Sequence, residues 1–138
     1  MKISIHGSGY VGLVTGSCLA DLGHEVICFD TDREKINKLK SGVAPIYEPG
    51  LEILIQDNLQ KGNMVFTDDL ELAVDKSDVH FIAVGTPSDE DGSADLASVL
   101  EVARSIATLM KDYKLIVTKS TVPVGSGSLL KQTIRETL

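Results

Sequence analysis

The stretch that decides the fold is Gly7-Ser8-Gly9-Tyr10-Val11-Gly12, which follows a short apolar strand at residues 2–6 and opens a helical pattern. A Gly-x-Gly-x-x-Gly turn between a strand and a helix is the fingerprint of dinucleotide binding. Gly7 allows the tight turn, Gly9 lets the backbone approach a pyrophosphate, and Gly12 lets the helix pack close to the strand. The helix N-terminus then offers free N–H groups to the phosphates.

A single acidic residue, Asp30, closes the next strand and lies 18 residues after Gly12. This spacing suits an acid that accepts hydrogen bonds from the adenosine ribose hydroxyls of a bound dinucleotide. The negative charge of Asp30 would repel a 2′-phosphate, even though the basic Arg33 follows closely. The sequence therefore predicts NAD rather than NADP as the cofactor.

The rest of the chain alternates apolar strands with helical patterns. Further strands are predicted at residues 25–29, 64–66, 79–84 and 115–117, and helices at residues 32–39, 51–59, 70–74, 95–110 and 126–138. Continuous apolar strands separated by helices indicate a parallel sheet that is covered on both faces. We therefore expect an α/β, Rossmann-type doubly wound fold with a mainly parallel sheet, in one domain over residues 1–138.

Three loops that directly follow strands are distinctive. They are residues 7–12, Gly85-Thr86-Pro87 and Lys119-Ser120-Thr121-Val122-Pro123. Proline fixes the chain near Thr86 and Thr121, so each hydroxyl is held on a rigid turn. Because ligands of such sheets bind beyond the carboxyl ends of the strands, we expect the three loops to surround one crevice.

Composition and charge exclude several classes of function. The chain has 13 Lys and Arg against 20 Asp and Glu, a net charge of −7, which argues against nucleic acid as a partner. No stretch reaches the roughly 18 unbroken apolar residues of a membrane-spanning helix. Glycines interrupt the one N-terminal stretch that is similar to a secretory signal. We therefore expect a cytoplasmic protein without a membrane partner.

Both cysteines are predicted to be buried structural thiols. Cys18 lies at helical spacing with Val11, Val14 and Leu22, a stripe that we expect to face the core. Cys28 lies within an apolar strand. Neither residue has the spacing of a metal clamp or a redox pair.

The three histidines, His6, His24 and His80, are interpreted as isolated residues. No Asp, Glu or Cys lies at metal-ligand spacing around them. We therefore expect no metal site.

Five segments together resemble one known family. These are Ser8-Gly9-Tyr10-Val11-Gly12-Leu13-Val14-Thr15-Gly16, Ile46-Tyr47-Glu48-Pro49-Gly50-Leu51, Gly85-Thr86-Pro87, Asp91-Gly92-Ser93-Ala94-Asp95-Leu96 and Lys119-Ser120-Thr121-Val122-Pro123-Val124-Gly125. Over the whole chain they are similar to the N-terminal domain of the UDP-glucose/GDP-mannose dehydrogenase family. The acidic run at residues 89–95 favours the members that oxidise UDP-glucose over those that use GDP-mannose or UDP-N-acetylmannosamine.

The resemblance implies a particular chemistry. The family oxidises a nucleotide sugar at its C6 alcohol to a carboxylate with two NAD+ in succession, through a covalent cysteine intermediate. It places that cysteine and most sugar contacts in later domains, so we expect no catalytic residue within residues 1–138 and no turnover by this chain alone. The full-length enzyme is expected to be a homo-oligomer that serves polysaccharide biosynthesis.

The resemblance also implies roles for individual residues. Tyr10 and Val11 would place backbone N–H groups on the pyrophosphate, and Lys35 would lie near the adenosine ribose. Thr121 would lie near the nicotinamide and have a supporting role in ordering a water or substrate oxygen. The expected cofactor-binding residues are Gly7, Gly9, Tyr10, Val11, Gly12, Asp30, Lys35, Gly85, Thr86 and Thr121.

Two other functions remain open on sequence grounds. One is a module that senses NAD(H) and controls a partner without catalysis. The other is a hydride-transfer enzyme of the hydroxyacid type, which shares the cofactor fold and little else. A nucleotide-sugar domain with a cysteine in the sequence after Leu138 would favour the nucleotide-sugar dehydrogenase over both.

Overall fold

The computed structural model describes residues 1–44, 50–83, 97–111, 114–118 and 135. Within these residues, five strands and five helices follow one another along the chain. The strands are β1 (Lys2–His6), β2 (Glu25–Phe29), β3 (Met64–Thr67), β4 (Val79–Ile82) and β5 (Leu115–Thr118), and the helices are α1 (Tyr10–Asp21), α2 (Arg33–Lys40), α3 (Leu51–Lys61), α4 (Leu70–Lys76) and α5 (Ala97–Leu109). None of these helices has the length and apolar character that a membrane span needs.

The five strands form one sheet in the order β3-β2-β1-β4-β5, and all neighbouring strands are parallel. The chain moves outward from β1 through β2 to β3 and then returns to the other side of β1 with β4. The strand order therefore reverses between β1 and β4, where sheets of this kind bind ligands beyond the carboxyl ends of the strands. This topology confirms the predicted Rossmann-type fold.

Helices cover both faces of the sheet, and each face has its own apolar core. Helices α1, α2 and α3 pack on the face that includes Ile3, Ile5, Val26 and Cys28. Helices α4 and α5 pack on the opposite face, where Val74, Val99, Ala103 and Ile106 surround Ile82. The three residues of α5 in this core recur at helical spacing and form its apolar face.

Helix α1 packs on the sheet through small residues. Gly12, Gly16 and Ala20 are buried, together with Leu13 and Ser17. A Cβ atom at Gly16 would lie 3.1 Å from the Sγ atom of Cys28, so the helix backbone approaches β2 closely. A close approach of this kind needs a stripe without large side chains.

The prediction that Cys18 faces the core was wrong, because the small-residue stripe takes that face. Cys18 is exposed, and two residues of the predicted stripe, Val11 and Leu22, are 44% and 76% exposed. The prediction for Cys28 is confirmed. Burial raises the pKa of the Cys28 thiol to about 12, so this thiol stays protonated and unreactive.

Most predicted boundaries agree with the structure to within two residues. Helix α4 continues to Lys76 and α3 to Lys61, where Gly62 ends the helix in a left-handed conformation with a φ of 78°. Strand β4 ends at Ile82, and residue 84 of the predicted strand lies outside the described residues. Of the helix predicted over residues 126–138, the structure describes only Arg135.

His6 and His80 form a buried pair, so the interpretation of them as isolated residues was wrong. Strands β1 and β4 are neighbours, which brings His6 Nε2 to 3.0 Å from His80 Nδ1. The remaining nitrogens, His6 Nδ1 and His80 Nε2, are buried and have no hydrogen-bond partner among the described residues.

Burial, with the nearby imidazole of His80, lowers the pKa of His6 to about 3. Burial, with the charge of Lys114, lowers the pKa of His80 to about 4. Both rings are therefore neutral at physiological pH.

Candidate functional site

The Gly7–Gly12 turn joins the carboxyl end of β1 to the N-terminus of α1. Gly7 has a φ of 108°, a left-handed conformation that favours glycine. Its N–H donates to the carbonyl of Phe29 at 2.8 Å, which ties the turn to the end of β2. Gly9 is the N-cap of α1, and its carbonyl accepts the N–H of Leu13 at 2.9 Å. The sequence motif therefore forms the strand–turn–helix unit that it predicts.

The N-terminus of α1 is open to an anion. Gly9 has no side chain to cap the helix, and the first turn contains no acidic residue. The N–H groups of Tyr10, Val11 and Gly12 have no acceptor within the helix, and the helix dipole adds a partial positive charge there. Tyr10 and Val11 are also exposed. This end of the helix suits a phosphate or pyrophosphate group.

Two glycines of the motif have different surroundings. A Cβ atom at Gly9 would meet no described atom within 4 Å, so open space lies in front of the turn at this point. A Cβ atom at Gly12 would lie 2.0 Å from the carbonyl oxygen of Gly7 and 3.3 Å from Ile5. Gly9 thus leaves space for a ligand, whereas Gly12 allows α1 to pack closely against the turn and β1.

Asp30 lies directly after β2, and its carboxylate is fixed beside the turn. Its Oδ2 atom accepts hydrogen bonds from the N–H of Ser8 at 2.9 Å and from the hydroxyl of Ser8 at 2.7 Å. Its Oδ1 atom accepts the N–H of Asp32 at 2.9 Å. Burial raises the pKa of Asp30, but the bonds from Asp32 and Ser8 and the charge of Lys35 outweigh it and hold the pKa below its ordinary value. Asp30 is therefore ionised at physiological pH.

Two basic residues of α2 lie near Asp30 and have different partners. The ammonium group of Lys35 lies 3.8 Å from Oδ2 of Asp30, and its place near the adenosine ribose stays a prediction. The side chain of Arg33 instead donates to Asp68 at 3.0 Å and is 81% exposed. Asp68 thus competes for the guanidinium that a 2′-phosphate would need.

The other predicted cofactor residues, Gly85, Thr86 and Thr121, lie outside the described residues. What the structure does show is that β4 ends beside β1, where the N–H of Ala83 donates to the carbonyl of His6 at 2.8 Å. In the described part of the chain, no three His, Cys, Asp or Glu side chains are grouped as metal ligands. The absence of a metal site stays a prediction.

Sequence reasoning missed Ser8, which is the residue in closest contact with Asp30. Ser8 occupies a variable position of the motif, so its identity gives no signal. The only available indication is geometric, because the first turn of the motif and the acid at the end of β2 must meet at the same edge of the sheet.

The described residues fit a dinucleotide. The uncapped helix end, the open space at Gly9 and the ionised carboxylate of Asp30 lie together at the carboxyl edge of the sheet. These are the groups that a pyrophosphate and an adjoining ribose need.

Known proteins that are similar to this chain match almost all of its residues. The UDP-glucose 6-dehydrogenase of Rhizobium meliloti is 55% identical over 138 residues, which are 99% of this chain and 32% of that protein. The UDP-glucose 6-dehydrogenase TuaD of Bacillus subtilis is 47% identical over 98% of this chain and 29% of its own length. The chain thus spans about a third of the length of these relatives.

A solved structure is also similar to almost the whole chain. The GDP-mannose dehydrogenase of Pseudomonas aeruginosa, solved as a ternary complex, superposes with a TM-score of 0.95 at 41% identity and covers 99% of this chain and 32% of that one. Residues 1–138 match the model of the UDP-glucose/GDP-mannose dehydrogenase family, NAD binding domain. The prediction of NAD is thereby confirmed. Because the match spans every residue of the sequence, the chain belongs to the UDP-glucose/GDP-mannose dehydrogenase family and constitutes an NAD-binding domain of that family.

Proposed function

We propose that this chain holds NAD+ at the carboxyl edge of its sheet, in an enzyme that oxidises UDP-glucose to UDP-glucuronate. The observation that carries the cofactor site is the carboxylate of Asp30, which is fixed within hydrogen-bond distance of the Gly7–Gly12 turn. The carboxylate of Asp30 and the uncapped N-terminus of α1 then lie side by side. The carboxylate can bind the adenosine ribose, and the helix end can bind the pyrophosphate.

Each site residue that the structure describes has a separate role in this proposal. The backbone N–H groups of Tyr10 and Val11 bind the pyrophosphate, and Gly9 keeps the space that the pyrophosphate needs. Asp30 accepts a hydrogen bond from the adenosine ribose, and Lys35, 3.8 Å from that carboxylate, lies near the same ribose. These contacts bind and orient the cofactor and do not themselves take part in the chemical step.

Bound NAD+ supplies a hydride acceptor for the alcohol and aldehyde stages of a four-electron oxidation at C6. We propose that Gly85, Thr86 and Thr121 complete the cofactor site and that Thr121 supports the ordering of a water or substrate oxygen. No residue of this chain is proposed as a nucleophile. Cys28 is buried, and Cys18 is exposed and lies eight residues after Tyr10, where α1 begins.

The choice of nucleotide sugar rests on the relatives. The relatives at 55% and 47% identity are UDP-glucose 6-dehydrogenases, which supports UDP-glucose. A GDP-mannose 6-dehydrogenase of Pseudomonas aeruginosa is 44% identical over 91% of this chain, so GDP-mannose is the second candidate. NADH formation by the enzyme that contains this domain, measured with each nucleotide sugar, discriminates between them. NAD binding without turnover of any nucleotide sugar would instead favour a sensing module.

The proposal also includes the location and assembly of the enzyme that contains this domain. That enzyme is a cytoplasmic homo-oligomer that serves polysaccharide biosynthesis.

Asp30→Ala is expected to weaken NAD+ binding by about tenfold or more, because a hydrogen bond to a charged group contributes roughly 1.5–3 kcal/mol. The unmutated chain should bind NAD+ more tightly than NADP+, and the substitution should narrow that difference by removing the charge that repels a 2′-phosphate. Calorimetric titration of both dinucleotides measures the two affinities. Equal affinities of the unmutated chain for NAD+ and NADP+ would contradict the role of Asp30.

A further inference from the structure

Ser8 holds the carboxylate of Asp30 through two donors at once. Its side chain is buried, with 1% of the residue exposed. Both its N–H, at 2.9 Å, and its hydroxyl, at 2.7 Å, donate to the same oxygen, Oδ2. Hydrogen bonds to an ionised acceptor are about twice as strong as neutral ones. Ser8 therefore fixes the orientation of Asp30 together with the N–H of Asp32.

The hydrogen bonds on Asp30 leave little of its acceptor capacity free. Each carboxylate oxygen has about two lone-pair sites. The two donors of Ser8 fill those of Oδ2, which also faces the ammonium group of Lys35 at 3.8 Å. The N–H of Asp32 takes one site on Oδ1. Among the donors that the structure describes, none takes the second site on Oδ1, which can therefore accept a hydrogen bond from a ligand.

We propose that Ser8 is a positioning residue that determines cofactor specificity by turning Oδ1 of Asp30 toward the adenosine ribose. This inference rests on the proposed NAD site and adds a residue to it. With the two donors of Ser8 on Oδ2, Asp30 accepts a ribose hydroxyl at Oδ1. The same two hydrogen bonds from Ser8 keep the carboxylate ionised and in one place, where it repels the 2′-phosphate of NADP+.

Ser8→Ala tests the proposal, because it removes the hydroxyl and leaves the backbone N–H bond to Asp30. We expect NAD+ affinity to fall by about fivefold to tenfold, which is less than for Asp30→Ala, because the lost bond orients the carboxylate and the N–H bond of Ser8 remains. The preference for NAD+ over NADP+ should fall as well. Because Ser8 acts through Asp30, Ser8→Ala should have no further effect in a chain that already carries Asp30→Ala.

Two controls separate positioning from a general structural effect. Ser17→Ala removes another buried serine hydroxyl, from the middle of α1, and should leave both affinities unchanged. Ser8→Thr retains a hydroxyl donor and should retain the preference for NAD+. A carbon-detected NMR titration of the Asp30 carboxyl group should show its pKa raised in Ser8→Ala and not in Ser17→Ala, and thermal melting confirms that each variant is folded.

The outcomes distinguish this inference from the function on which it rests. A chain that binds no NAD+ at all contradicts the proposed function. A chain that binds NAD+ through Asp30, but whose affinities and carboxyl pKa do not change in Ser8→Ala, contradicts only the role of Ser8. An equal loss of affinity from Ser8→Ala with and without Asp30 would mean that Ser8 contacts the cofactor directly, which also overturns the proposal.

Discussion

Replacing Gly9 by valine is expected to abolish NAD+ binding and to leave the chain folded. The Cβ position of Gly9 is free of described atoms within 4 Å, and its φ of −80° is accessible to valine. The new Cβ atom therefore meets no described atom, and the side chain occupies the space proposed for the pyrophosphate. We expect a loss of affinity of more than about 100-fold, or about 2.8 kcal/mol. Calorimetric titration measures the affinity, and circular dichroism verifies the fold.

Gly12→Ala is the matched contrast within the same motif. Its Cβ atom would lie 2.0 Å from a backbone oxygen, the carbonyl of Gly7, so the helix or the turn must shift. Forced overpacking of this kind costs about 1–3 kcal/mol of stability. The urea midpoint should fall for Gly12→Ala and stay near the unmutated value for Gly9→Val. A folded Gly9→Val chain with unchanged NAD+ affinity would exclude the turn as the phosphate site.

The second large effect is a loss of stability in mild acid, caused by His6 and His80. In the folded chain their pKa values are about 3 and about 4, against an ordinary value of 6.5. Below pH 6.5 the unfolded chain binds protons at both rings and the folded chain does not. The free energy of unfolding is therefore highest above pH 6.5 and falls as the pH decreases toward 4, by up to about 1.4 kcal/mol per pH unit for each ring.

Urea unfolding between pH 7 and pH 5 measures this effect, because the histidines dominate the change in the free energy of unfolding over this pH range. The carboxyl groups with lowered pKa, Asp30 and Asp68, lose their contribution mainly at lower pH, because their ordinary pKa is 3.8. The double variant His6→Gln/His80→Gln should lack the decline, whatever its stability at pH 7. His24→Gln, at a half-buried site after α1, should retain it. A decline that persists in the double variant would assign the acid sensitivity to other groups.

The sequence predicted the parts of the site that follow from local order along the chain. The turn at Gly7, the helix that begins at Tyr10 and the acid at the end of β2 are each specified by nearby residues, and the structure places them as expected. The face of α5 was also predictable, because large apolar residues at helical spacing mark it. Local periodicity was sufficient for these features.

Contacts between distant segments were not predictable in the same way. The pairing of His6 with His80 depends on β4 lying next to β1, which no local pattern states. Large apolar residues at helical spacing predict the wrong face of α1, because a helix that packs closely on a sheet buries small residues such as glycine and alanine. Ser8 was not predictable because its partner, Asp30, lies 22 residues away in the sequence, directly after β2.

The central claim is that NAD+ binds at the carboxyl edge of the sheet, between the Gly7–Gly12 turn and Asp30. An NMR titration of the ¹⁵N-labelled chain with NAD+ tests it most directly, because each backbone amide reports on its own surroundings. We predict that the largest amide shifts fall on residues 7–12 and on Asp30 and Asp32, and that Gly9→Val removes them. Shifts concentrated instead at the opposite edge of the sheet, around Lys2, Glu25 and Asn63, would contradict the claim.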